Sequence, residues 1–179
     1  MIHIRKAISK DLPTVVDIYN SIHDAEESGQ ITTGWLRNVY PTESTASAAL
    51  RRNDLFVLEE SGQLLASAII NQIQVDVYAG APWENTVSDD QVCVLHTLTV
   101  SPKAAHQGLG SAFVRFYEQY AAEHGCPELR IDTNERNLRA RAMYRWHGYK
   151  EIGIFPTVFN GIPGVNLVLM EKSINVPLL

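Results

Sequence analysis

Residues 91–110, QVCVLHTLTVSPKAAHQGLG, restrict the fold more than any other part of the chain. Val92, Val94, His96, Leu98 and Val100 alternate with Cys93, Leu95, Thr97 and Thr99. With apolar or β-branched side chains on both sides, this is the pattern of a strand covered on both faces. Such a strand carries His96 into the interior. Ser101-Pro102 ends it, because proline has no N–H to donate to a ladder and suits a turn. A short loop reaches Gly108-Leu109-Gly110-Ser111, from which Leu109, Phe113, Phe116, Tyr117 and Tyr120 recur at the spacing of one buried helix face.

Glycines where a helix begins have a chemical use. The first N–H groups of a helix lack partners and lie at the positive end of its dipole, so they can cradle a phosphate or pyrophosphate. Glycine lets the backbone approach that anion closely. A tight strand-to-helix turn would use the same residues. Two familiar nucleotide motifs are excluded: a dinucleotide fingerprint needs a third glycine where Phe113 stands, and a P-loop needs a Gly-Lys-Ser/Thr run.

With 179 residues the chain has room for one well-buried domain, expected over 1–179. Hydrophobic residues at 45% and charged residues at 20% are ordinary for a globular protein. A net charge of −5 argues against a nucleic-acid partner. No apolar run spans a bilayer and the first residues lack the core of a signal peptide, so a cytoplasmic protein with no membrane partner is expected. Cys93 and Cys126 fit no metal or CxxC spacing and are expected as buried thiols. Nor do His3, His23, His124 and His147 show a metal motif such as HExxH, so no metal is expected.

The remaining elements follow from periodicity and caps. A short strand at the N-terminus leads to a helix capped by Ser9 or Asp11, with Pro13 in its first turn and an acidic end, HDAEESG. A loop bearing Trp35 and Tyr40 follows, then a helix over 42–52 and strands over 55–59 and 64–77. Beyond a turn-rich loop carrying Trp83 come the central strand, the glycine-led helix, a strand over 128–132, a helix over 134–147 closed by Gly148, and two final strands. This order predicts an α/β layer on a mixed sheet.

In the second helix Asn137, Ala140 and Tyr144 share one face, forming a shallow slot between an amide and a phenol. A core face anchored by a tyrosine would show the same spacing. Paired with VLHTLTVSPKAAHQGLGS, however, the run Asn-x-x-Ala-x-x-x-Tyr-x-x-x-Gly-Tyr from Asn137 to Tyr149 resembles the GNAT superfamily of acyl-CoA-dependent N-acetyltransferases. The resemblance implies a mixed, mostly antiparallel sheet with a splayed central strand pair, flanked by about four helices. Ala105 and His106 depart from the superfamily's usual Gln/Arg-x-x-Gly-x-Gly/Ala loop, removing one phosphate-facing side chain that Lys103, His106 or Gln107 could replace.

The resemblance further implies acetyl-CoA as co-substrate, held by Leu98, Thr99 and Val100 along the strand, by Ala105, His106, Gln107, Gly108, Leu109, Gly110 and Ser111 at the loop, and by Asn137 and Ala140 on the helix. Tyr144 would protonate the departing thiolate, since a phenol of pKa ~10 can supply a thiol of ~8.5. His-Thr-Leu-Thr-Val looks like the matching strand of arylalkylamine N-acetyltransferases, which places His96 to relay the amine's proton; a buried structural histidine remains open. Glu26, Glu27 and Asp76 are rival bases, and the acidic helix end would attract a cationic acceptor. The expected reaction is acetyl transfer to a primary amine of a small molecule, in a chain free to form a homodimer. Acetylation of a protein N-terminus or lysine, longer acyl groups, and a non-catalytic acyl-CoA sensor remain the alternatives.

Overall fold

A computed structural model describes residues 1–176; of the expected 1–179 domain, 177–179 lie outside the described residues. The strands are β1 (Ile2–Lys6), β2 (Leu55–Glu60), β3 (Gln63–Asn71), β4 (Val92–Val100), β5 (Glu128–Asn134), β6 (Lys150–Phe159) and β7 (Ile162–Ser173). The helices are α1 (Leu12–Glu27), α2 (Glu43–Arg52), α3 (Leu109–Glu123) and α4 (Leu138–Trp146). One sheet holds all seven strands in the order β1-β2-β3-β4-β5-β7-β6. Only β4 and β5 run parallel, because α3 makes the crossover between them; every other pair is antiparallel. The result is the α/β layer on a mixed sheet that the element order predicts, mostly antiparallel as the resemblance implies.

The two largest boundary differences from the sequence reading are in β3 and α4. The strand expected over 64–77 stops at Asn71, whose Oδ1 accepts the Ile73 N–H at 2.9 Å and turns the chain. The helix expected from 134 begins only after Asn137, whose side chain accepts the Ala140 N–H at 3.2 Å as an N-cap.

On one face of the sheet, Phe113, Val114 and Tyr117 of α3 are fully buried against Leu95, Leu129 and Ile131. Val15 and Tyr19 of α1 cover Leu55, Val57 and Ile69 on the other. Each such side chain contributes roughly 1.5–3 kcal/mol by leaving water. Packing on both faces is why β4 lacks a polar side.

The centre of the sheet opens in a defined place. Pairing of β4 with β5 ends at Leu95↔Ile131, although both strands continue. Just beyond, Ile69 pairs with His96 and Ser67 with Thr99, so Thr97 and Leu98 together face Ala68. That bulge bends β4 away from β5. Thr97 has φ +49°, a left-handed value rare for a β-branched residue, and its hydroxyl is held by the Tyr40 hydroxyl. Below the split, the Tyr117 hydroxyl donates to the Cys93 carbonyl at 2.6 Å and lies 3.3 Å from that of Arg130. One buried phenol thus ties the two strands together where they still pair.

Candidate active site

On the α3 side of the split runs a groove of about 640 Å³. Leu98, Val100, Ala105, His106, Gly108, Leu109, Gly110, Ser111, Asn137 and Ala140, all expected to hold the co-substrate, line it. Thr99 and Gln107 do not. The bulge turns Thr99 to the opposite face, where its hydroxyl bonds Ser67 Oγ at 2.8 Å, and Gln107 is exposed to solvent. Past Leu95 the backbone groups of β4 that would have met β5 have no strand partner among the described residues, so they form a hydrogen-bonding edge.

The loop and helix start fit a phosphate. Gly108 caps α3 at φ +76°, and the N–H groups of the first turn open onto the groove. At Gly110 a Cβ would lie 3.0 Å from Met143 Sδ, so glycine lets α3 and α4 approach. A side-chain cation also stands here that the sequence reading missed. Arg139, on α4, lines the groove with its Nη2 3.3 Å from Nδ1 of His106 on the opposite wall. It can take the place left by Ala105. Arg139→Ala should weaken CoA binding roughly two- to five-fold, as befits an exposed charge, with the difference shrinking at high salt in calorimetric titrations.

A smaller cleft of about 90 Å³ penetrates the split from the other face. It shares Thr33, Leu98, Asn137, Ala140 and Tyr144 with the groove, so the two cavities meet around the Tyr144 ring. Tyr144 is buried, and its hydroxyl makes no hydrogen bond among the described residues. Burial, with the nearby Asp132 carboxylate, pushes its pKa well above the ordinary phenol value, so it stays protonated.

His96 lines the cleft, yet its Nε2 lies 3.0 Å from Asn71 Oδ1. Burial lowers its pKa to about 4, which keeps it neutral over the working range. Asp132, also missed from sequence, lines the same cleft and accepts a hydrogen bond from the Tyr78 hydroxyl at 2.8 Å. Burial raises its pKa to about 6, partly offset by that bond.

The acidic end of α1 is engaged within the protein. Glu26 accepts from the Thr33 N–H at 2.6 Å, the Thr33 hydroxyl at 2.8 Å and the Gly34 N–H at 3.0 Å. Arg37 pairs with Asp24 and Glu27. These carboxylates fasten the segment 28–41 across the cleft. Gly34 lies so close to the cleft floor that a Cβ would sit 2.3 Å from Asn134 Nδ2. Asp76 is exposed and does not line the cleft.

The splitting parallel strand pair, the strand edge leading from a helix N-terminus and the phenol where two cavities meet are the arrangement that the resemblance implies. The chain belongs to the acetyltransferase (GNAT) family, whose model matches residues 15–149. Among curated proteins it resembles the uncharacterized N-acetyltransferase YhfO of Bacillus subtilis strain 168, with 24% identity over 151 residues, 83% of this chain and 90% of the relative. A GNAT-family acetyltransferase from Streptococcus agalactiae shares the fold at TM-score 0.80 and 20% identity, covering 97% of this chain and 96% of its own. So does yncA of Salmonella typhimurium, solved with its cofactor acetyl-CoA, at TM-score 0.71 and 15% identity over 100% and 97% of the two chains.

Proposed function

We propose that this protein moves the acetyl group of acetyl-CoA to a primary amine of a small molecule by direct attack. The observation that carries the reading is the meeting of a long groove and a small cleft at Tyr144. The groove matches an extended phosphorylated arm, with the α3 N-terminus and Arg139 for its phosphates and the β4 edge for its amides. The cleft has room for a compact acceptor, and the fastened segment 28–41 favours a small molecule over a folded protein surface.

Acetyl transfer needs a neutral nitrogen, stabilisation of the tetrahedral oxyanion and a proton for the thiolate. A backbone N–H of β4 near Leu98 serves the oxyanion, and Tyr144 supplies the thiolate's proton. His96 and Asp132 are the candidate proton acceptors in the cleft. The test is a screen of small primary amines with acetyl-CoA, reading free thiol and acetylated product. Amine-dependent thiol release is expected. Turnover only with proteins, or none above background, would overturn the reading.

A further inference from the structure

Asp132 is the first residue of β5 beyond the last pair that joins it to β4. Its Oδ2 is taken by the Tyr78 hydroxyl, while Oδ1 has no hydrogen-bond partner among the described residues and opens to the cleft. Trp35, Tyr40 and Phe159 form an aromatic wall there, with ring centroids 5.8 Å apart for Trp35 and Tyr40 and 5.3 Å for Tyr40 and Phe159. Among the described residues no lysine or arginine lines the cleft. A half-buried carboxylate with no counter-charge beside it is costly, so this arrangement favours the entry of a cation. Aromatic rings add to the attraction.

We infer that Asp132 reads the acceptor: it binds the substrate's ammonium group and takes one of its protons, and it restricts the acceptor to compact amines with no anionic group beside the nitrogen. The inference rests on the acetyl-transfer reading above. Two protons leave the ammonium group in the reaction. Asp132 takes the first and returns it to solvent, freeing the nitrogen lone pair to form the C–N bond. As the C–S bond breaks, Tyr144 protonates the thiolate, and the second nitrogen proton restores Tyr144.

The groups around Asp132 suit this work. Tyr78 bonds it, Tyr40 and Tyr144 face it as neutral phenols, and His96 shares its cleft uncharged. Arg130, two residues earlier on β5, is turned to Gln74 and stacks 4.1 Å from the Trp83 ring. Leu167 of β7 is apolar. With a pKa raised to about 6, Asp132 is ionised at neutral pH and poised to accept a proton.

The experiment compares Asp132→Asn with the wild-type protein on butylamine and 2-phenylethylamine, and on their α-carboxylated counterparts norvaline and phenylalanine. Asparagine can still accept the Tyr78 hydrogen bond, so melting temperature and calorimetric acetyl-CoA affinity should be retained. The wild-type protein should prefer the simple amines, its kcat/KM rising with pH through about 6 as Asp132 ionises. Asp132→Asn should lose about 100-fold or more in kcat/KM and lose that limb, whereas His96→Ala should keep the limb. Tyr78→Phe removes the bond that favours the carboxylate, so it should move the limb to higher pH; a merely structural aspartate would not respond in this way. Retained kcat/KM and limb in Asp132→Asn, or wild-type preference for the carboxylated acceptors, would overturn the inference while leaving acetyl transfer standing. Absence of amine-dependent turnover in the wild-type protein would instead defeat the underlying reading.

Discussion

Tyr144→Phe is expected to lower kcat by about 10²–10⁴-fold, the range for loss of a general acid, with little change in affinity for acetyl-CoA. The separation follows from geometry. The Tyr144 ring is buried beside Ala140 and lines both cavities, and phenylalanine preserves that wall. Its hydroxyl bonds no other group among the described residues, so removing it strands no buried partner and should leave stability nearly unchanged. Because burial and the Asp132 charge hold the phenol protonated, no wild-type basic limb from Tyr144 should appear in the neutral range. The measurement is kcat at saturating acetyl-CoA with chemistry shown to be rate-limiting. A wild-type value would give the proton to another donor.

Gly108→Trp should remove measurable CoA binding in calorimetric titrations. Gly108 adopts φ +76°, where an L residue costs roughly 1–2 kcal/mol, so relief of strain would shift the loop and re-aim the N–H groups of the first α3 turn. The added side chain meets no protein atom within 4 Å of its Cβ, so it starts in the open space of the groove wall instead of being absorbed by the core. Circular dichroism should show the helices intact. Unchanged CoA affinity would mean that the phosphates bind elsewhere.

The order of elements is written in local pattern. Three- and four-residue spacing marks α3, alternation marks β4, and glycine marks the start of α3; each is a property of a few neighbouring residues, which is why the family motifs could be read from sequence. Ends of elements are less legible because caps compete with periodicity. Asn137 starts a helix and Asn71 stops a strand through single side-chain hydrogen bonds that no period reveals.

The interior of the cleft was decided by contacts between distant parts of the chain. In the run ELRIDTN, Asp132 alternates with apolar neighbours and reads as a solvent-facing strand residue. Only the divergence of β5 from β4, together with Tyr78 from a separate turn, puts it beside Tyr144. The bulge that turns Thr97 to Tyr40 joins residues 57 positions apart and sends Thr99 to the face away from the groove. Glu26 reads as a rival base in sequence because two of its three partners are backbone N–H groups, which no residue type advertises. Sequence alone determined which segments become strands and helices, since those preferences act over a few residues. Tertiary structure decided which carboxylates line the cleft and which fasten the chain, because charge, burial and free hydrogen-bonding capacity depend on what the fold brings alongside.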